Sequence, residues 1–290
     1  MDAFFPGQGR WLKCNLHTHT TRSDGAYTPE DCMALYRRGG YDVLALTDHW
    51  KPSESGSFEG MTLLSGCEWD LGASNRDAGC VHIVGVGMTA DAGLTRSPSL
   101  TAQGVADAIV AAGGVPILAH PAWSLTQPLF AAGLRGIVGT EVYNAASAFP
   151  FTGRPDSTGF VDQCANIGRL LRCMGADDAH WYQSDALNAY TMVYARDNSR
   201  EAVLDALRAG WFYASQGPVL HSLARSGNVL TVECSDCAYI GFLSASPWMA
   251  NRVVQNASSA RYEIKPYDGF IRIELVDREG KRAWIGPFSI

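Results

Sequence analysis

The sequence predicts an α/β protein: a mainly parallel sheet or barrel over residues 11 to about 215, followed by a small antiparallel β unit. Two observations carry the first part. Short apolar, strand-like runs alternate with segments of helical period, and the helical segments carry start and stop signals. A third observation carries the second part: after GWFYASQGP (210–218) the texture changes to alternating apolar and polar residues, as in VLTVEC, YIGFLSA, ARYEIKP and FIRIELVD. The change marks a boundary near 217–221 and two units, 1–218 and 219–290.

The strand candidates are 12–16, 43–47, 62–67, 81–86, 115–119, 137–142, 170–174 and 190–195. The first helix is framed by Thr28 as N-cap, Pro29 at its first position, Glu30 and Asp31 against the dipole, and Gly39-Gly40 at its exit. A second runs over about 99–112 and ends at Gly113-Gly114, a third lies near 157–168, and a fourth spans 199–209, capped by Asn198 or Ser199 and stopped by Gly210. These are the expected crossovers between parallel strands.

With 290 residues and 47% apolar content, the chain is long enough to bury roughly 75% of its unfolded surface. A formal charge of −6 and no run of Lys or Arg exclude extended nucleic acid and anionic membrane as expected partners, and favour a small substrate or short nucleotide. MDAFFPGQGRWLK has neither the basic start nor the apolar stretch of a secretory signal, so the expected location is the cytoplasm. The most apolar region, 104–125, is interrupted by Asp107, Gly113-Gly114, Pro116 and His120, and reads as a helix and a buried strand rather than a membrane span. Eight scattered cysteines in such a chain read as reduced, mostly buried thiols. Cys234-x-x-Cys237 has no second ligand pair at zinc spacing.

Six of the seven histidines fall at or just past predicted strand ends, in NLHTHT, TDHW, CVHIVG, LAHP and DDAH. In a parallel barrel those ends share one rim, where histidines and acids from distant segments converge into a metal site. His17-x-His19 is the strongest element, because alternate strand residues point the same way and two imidazoles can grip one ion. Glu68 closes an apolar strand, where a carboxylate is costly unless paired with an arginine or bound to metal; its two oxygens could bridge two cations. Asp178 and His180 repeat the alternate spacing, with Asp177 facing the other way.

His120, His49 and His82 each read alone as a hydrogen-bonded structural histidine, and Asp24 as a turn residue in Ser-Asp-Gly. In company they complete a ligand set, with Asp48 a candidate to orient His49. Arg22, Lys51, Arg154 and Arg172 lie near rim loops and could supply donors to phosphate oxygens. Asn144 could contact substrate or orient a ligand, Glu141 supports its strand or the ligands, and His221 at the junction reads as structural.

Together LHTHTTRSDG, ALTDH, GCEWD, VHIVG, LAHP and GADDAH resemble, in order, the motifs of the PHP (polymerase and histidinol phosphatase) domain family, and cover residues 11 to about 215. The resemblance implies a distorted seven-stranded β/α barrel, TIM-like, with metals at its carboxyl rim. It implies one metal with His17, His19, Glu68 and Asp178, a second with Glu68, His82 and His120, and a third with Asp24, His49 and His180. Many members carry histidine where this chain has Asp24. The C-terminal part, with its closing RAWIGPFSI, is similar to a PHP-like branch that includes a carbaryl hydrolase, the CehA/McbA type.

The expected chemistry is metal-assisted hydrolysis, with two or three divalent ions (Zn, Mn or Fe), two of them roughly 3.5–4 Å apart and sharing a bridging hydroxide. A phosphatase or phosphodiesterase is the first expectation, with Glu68 catalytic and His180 or His49 protonating the leaving group. A carboxylic ester or carbamate hydrolase is the enzyme alternative, and a non-catalytic metal-binding module is the third. The β unit is expected to cover one side of the barrel or to mediate homo-oligomerisation.

Overall fold

A computed structural model describes residues 2–5, 7–72, 80–248 and 250–290. In chain order the elements are β1 (Asp2–Ala3), β2 (Arg10–Asn15), α1 (Pro29–Arg38), β3 (Val43–Ala45), β4 (Gly56–Phe58), β5 (Met61–Leu64), β6 (Gly66–Leu71), β7 (Val81–Val86) and α2 (Ala102–Ala111). Then follow β8 (Val115–Leu118), α3 (Pro121–Ser124), α4 (Pro128–Gly133), β9 (Gly139–Asn144), α5 (Thr158–Asn166), β10 (Arg172–Ala176), β11 (Tyr190–Ala195), α6 (Arg200–Ala209) and β12 (Phe212–Ser215). The chain closes with β13 (Leu220–Ser226), β14 (Val229–Leu243), β15 (Val253–Glu263), β16 (Phe270–Val276) and β17 (Arg282–Ser289).

The helix ends follow their local chemistry. Thr28 Oγ1 accepts the Asp31 amide at 3.1 Å and Pro29 opens α1. Ser199 caps α6, which Gly210 ends in a left-handed conformation at φ 73°. The short α3 and α4 after β8 have no counterpart in the sequence reading.

The strands form two sheets. One runs β1-β13-β14-β16-β17-β12-β11-β2-β3-β5-β4, with β15 on β14; the other runs β10-β9-β8-β7-β6. Pairing is mixed. β2, β3 and β5 are parallel, as are β8, β9 and β10, whereas β7 is antiparallel to both β6 and β8, and β11 to both β2 and β12. The expected mainly parallel sheet is therefore corrected. Residues 72–80, between β6 and β7, are fewer than the dozen or so that a parallel crossover needs.

Of the expected distorted seven-stranded β/α barrel the structure shows a mixed α/β fold: among the described residues no continuous ladder closes the ring. Isolated bridges, Thr18 to Ala179 and His49 to Glu68, are what join the two sheets at the strand exits. Those bridges bring the exits of β2 and β10, and the exit of β3 and β6, side by side.

Helices cover the outer faces. α2 and α5 pack Val105, Ile109 and Val161 against Ile83, Leu118 and Val142, while α6 packs Leu204 and Leu207 against Leu12, Val84 and Ile117. The C-terminal strands have a core of their own, including Leu220, Val232, Phe242, Ile273 and Ile285. They also continue the first sheet through the β12–β17 pairing. Buried Arg272 reaches α5, where its Nε and Nη2 donate to the two oxygens of Asp162 at 2.7 and 2.9 Å.

All eight cysteines are free, and His221 lies exposed on β13 rather than serving the core. No helix among the described residues is long and apolar enough to cross a membrane.

Candidate metal centre

The nine candidate ligands meet at the strand exits. His17 and His19 follow β2 with Thr18 turned away between them, its amide bonded to Thr47 Oγ1, and the two Nε2 atoms stand 3.1 Å apart. His49 follows β3, Glu68 and His82 lie on the paired strands β6 and β7, His120 follows β8, and Asp178 and His180 follow β10. Asp24 enters on the loop after His19. Gly25 beside it has no alternative, since a Cβ there would run into the backbone of His19 and Thr20.

The donors form three overlapping groups: His17, His19, Glu68 and Asp178; Glu68, His82 and His120; and His19, Asp24, His49 and His180. Glu68 serves two groups with different oxygens. Its Oε2 lies 3.1 and 3.0 Å from Nε2 of His17 and His19, and its Oε1 lies 2.8 Å from His82 Nδ1 and 3.3 Å from His120 Nε2. His19 links the third group, with Nδ1 3.5 Å from Asp24 Oδ1; Asp24 Oδ2 stands 3.7 Å from His49 Nε2 and 3.6 Å from His180 Nε2.

A second layer fixes these rings. Glu141 Oε1 holds His17 Nδ1 at 2.6 Å, and its Oε2 accepts from the His120 amide at 2.9 Å and from Asn144 Nδ2 at 2.7 Å. A carboxylate only accepts, so the His17 proton sits on Nδ1 and the Nε2 lone pair faces the cluster. His180 is fixed the same way, donating from Nδ1 to the Asp178 carbonyl at 2.6 Å. His120 and Asp178 both adopt left-handed backbone, φ 25° and 53°, a cost that side chains other than glycine bear at functional sites.

Asp48 does not orient His49. Its oxygens clamp Thr20 and Ser23, shaping the loop that presents Asp24. The carboxylate beside His49 is Asp70, with Oδ1 3.2 Å from Nδ1; it also accepts from Trp50 Nε1 at 2.5 Å and from both terminal nitrogens of Arg96 at 2.9 Å. Sequence reasoning missed it, although alternate spacing from Glu68 in GCEWD puts it on the same strand face. Asp177 faces away, as its spacing predicts, and receives Tyr36 and the amides of Leu187, Asn188 and Ala189; burial lifts its carboxyl to about 6 against those bonds.

Burial works against charge throughout the cluster, and mutual attraction overrides it. His17 is raised well above its usual range by Asp178, Glu68 and Glu141, His19 to about 9 by Asp178 and Glu68, and His82 to about 10 chiefly by Glu68. Glu68 and Asp178 are correspondingly held far below the usual carboxylate range, and Asp70 is held at about 2 by His49 and Arg96.

The donor set fits divalent cations. Asp178 Oδ1 lies within 3.1 Å of both Nε2 atoms yet, like His49 Nδ1, is buried and makes no hydrogen bond. Imidazole nitrogens and carboxylate oxygens are the ligands of such ions, and tetrahedral bonds of about 2.0 Å separate donors by roughly 3.3 Å.

Beside the cluster opens a cavity of about 240 Å³, bounded by the candidate ligands other than His17 and His19 and by Trp123, Ala146, Ser147, Phe151, Thr152 and Trp181. The candidate substrate contacts Arg22, Asn144 and Arg154 are not in its lining. Arg22 donates to the Pro52 carbonyl, Arg154 is exposed, and Asn144 is buried, bonding Glu141 and, at 3.1 Å, Asp178 Oδ2. Of the two roles open to Asn144, orienting a ligand is the one its contacts serve. Lys51 donates to the Arg22 carbonyl, and Arg172 donates to the Pro287 carbonyl and covers the Phe288 ring.

This combination, a mixed α/β scaffold with His, Asp and Glu side chains converging at strand exits, is an architecture found among solved proteins. The chain is similar in fold to a two-domain protein from Bacteroides vulgatus containing a predicted PHP-like metal-dependent phosphoesterase, with a TM-score of 0.57 at 15% identity over 96% of this chain and 94% of that one. It therefore shares the fold of that protein over nearly its whole length. Two weaker likenesses carry no argument: a lesion-specific endonuclease from Pyrococcus furiosus (0.46, 12% identity, 83% and 64% covered) and an amidohydrolase from Chromobacterium violaceum (0.41, 18%, 59% and 89%). No family model and no curated protein matches the chain.

Proposed function

We propose that the chain is a metal-dependent hydrolase of the PHP type that cleaves a small phosphate ester or short nucleotide, as a phosphatase or phosphodiesterase. The observation that carries the reading is Glu68, buried and offering one oxygen to each of two histidine groups. His17, His19, Glu68 and Asp178 would hold one ion, Glu68, His82 and His120 a second, and Asp24, His49 and His180, with His19 beside them, a third. Two or three ions of Zn, Mn or Fe, when bound, supply Lewis acidity at the ester and lower the pKa of the attacking water.

The remaining work falls to the chain. Glu141 and Asn144 orient His17 and Asp178, and Asp70 steadies His49. His180 Nδ1 is committed to the Asp178 carbonyl, so the exchangeable proton is at Nε2, facing the cavity; burial disfavours that proton, but Asp24 and Asp178 raise the ring above its usual range. With the third ion absent, Nε2 is the group suited to protonate a leaving oxygen; with it bound, Nε2 is a ligand and carries no proton. The PHP-like seven-stranded closure, the division at 218/219 and a cytoplasmic setting belong to the same proposal, as does a covering or homo-oligomerising role for the β unit.

A second reading, hydrolysis of a carboxylic ester or carbamate as in the CehA/McbA-type branch, is favoured by one observation: no described residue of the cavity lining is Arg or Lys. A dianionic phosphate normally meets such donors. Metal content by mass spectrometry, with turnover of a nitrophenyl phosphate, a nucleotide panel and a nitrophenyl ester by wild type and Glu68→Ala, separates the readings. Two or three metals with Glu68-dependent phosphate release supports the first, ester-only turnover supports the second, and a metal-free inactive chain sinks both.

A further inference from the structure

The cavity beside the metal-ligand cluster is flanked by aromatic rings on two sides. Trp123 stands against the His82 and His120 rings, at centroid distances of 5.5 and 4.9 Å. On the other flank Trp181 lies 5.5 Å from His180 and is stacked on Phe151 at 3.8 Å with 11° between planes. All three rings border the cavity.

The flank formed by Phe151 and Trp181 is held in place although it is open to solvent, Trp181 being 46% and Phe151 36% exposed. Asp185, fully buried, accepts the amides of His180 and Trp181 on one oxygen at 2.8 and 2.9 Å and that of Tyr182 on the other at 2.6 Å. The Phe151 turn is tied by the Phe151 amide to Ala148 and by Thr152 Oγ1 to the Ser147 carbonyl at 2.7 Å. Large apolar rings kept exposed and fixed at the mouth of a polar site leave apolar area unburied in the free protein, and a ligand ring can cover it.

Resting on the hydrolase reading above, we propose that Phe151, Trp181 and Trp123 are specificity-determining residues that select substrates carrying an uncharged planar aromatic group, seated between the two flanks with its ester oxygen toward His180 and Glu68. The size agrees. A cavity of about 150 Å³ admits benzene, so about 240 Å³ takes one ring and the atoms of the ester. The chemistry applies equally to an aryl phosphate and an aryl carboxylate, because it concerns the ring and not the acyl or phosphoryl group.

The test compares phenyl acetate with an activated alkyl acetate, and phenyl phosphate with an alkyl phosphate, on metal-loaded wild type, Phe151→Ala, Trp181→Ala and Trp181→Phe. Phenol binding to the same proteins is followed in parallel by ligand-observed NMR, and metal content and melting temperature establish that each variant is folded and loaded. The expected result is a KM for the active aryl substrate about tenfold higher in each alanine variant, with the alkyl partner little changed, phenol binding weakened alike and Trp181→Phe restoring most of both. Equal effects on aryl and alkyl substrates, or phenol binding unaltered in folded alanine variants, overturn the proposal. Phenol binding that depends on Trp181 in a protein that hydrolyses nothing upholds the aromatic subsite while removing the hydrolase reading.

Discussion

Among the places where the described residues bury charge, two do so in opposite ways. At the junction with the C-terminal strands, Arg272 is surrounded by matched acceptors, both oxygens of Asp162 and one of Glu274 at 2.9 Å, so each nitrogen of its guanidinium is satisfied. At the strand exits, Glu68, Asp178 and Glu141 are packed among imidazoles, with Asp178 Oδ1 and His49 Nδ1 left without a hydrogen bond. The first arrangement is complete without any ligand. The second is not, and the contrast separates a structural ion pair from a site whose charge balance calls for cations.

The largest expected effect breaks the second arrangement at its centre. Glu68→Ala should remove the shared ligand of two groups, lowering bound metal and reducing hydrolysis by about a thousandfold or more, as measured by metal analysis and kcat/KM. Its melting temperature in chelator should fall as well, because Glu68 is the carboxylate that stabilises protonated His19 and His82 in the metal-free chain. Breaking the first arrangement should cost stability alone. Arg272→Ala should destabilise the fold by about 3–5 kcal/mol in urea titration, since it leaves Asp162 without its cation and Glu274 with Arg282 alone, while metal analysis of the folded fraction stays unchanged.

Smaller effects sharpen the contrast. Asp70→Ala should weaken metal retention at the His49 side about 10- to 100-fold, the range for loss of a carboxylate that orients a ligand. In the metal-free chain, His19 and His82 hold protons to about 9 and 10, so metal must displace them. Affinity should therefore rise with pH across neutrality, with proton release visible as a buffer-dependent heat in titration calorimetry. Smallest is Ser199→Ala, which removes the cap of α6 far from the cluster and should cost about 1 kcal/mol in the same urea titration, with activity unaltered.

The helix ends and most strands were legible because they depend on neighbours in the chain. Thr28 with Pro29, and Ser199 with Gly210, act within one turn. The nine donors were legible for a related reason: alternate spacing in His17-x-His19 and Asp178-x-His180 fixes the face of each pair locally, and the resemblance to an ordered set of motifs joined the rest. The errors are all of another kind. Asp48 is adjacent to His49 in sequence, but strand alternation turns it toward the Thr20–Ser23 loop, and Asp70 reaches His49 from another strand. Arg22 and Arg154 lie in loops of the right neighbourhood and bond or point elsewhere.

By itself, then, the sequence determined the local elements, the change of texture near residue 217 and the identity of the donor atoms, because propensity, capping and alternation act over a few residues. The tertiary structure alone decided the antiparallel turn of β7 between β6 and β8, the split into two sheets, the second-layer partners and the aromatic flanks formed by Trp123, Phe151 and Trp181. Each of these depends on which distant segments meet, and contacts between distant segments are set by how the whole chain buries its apolar faces, which no local pattern encodes.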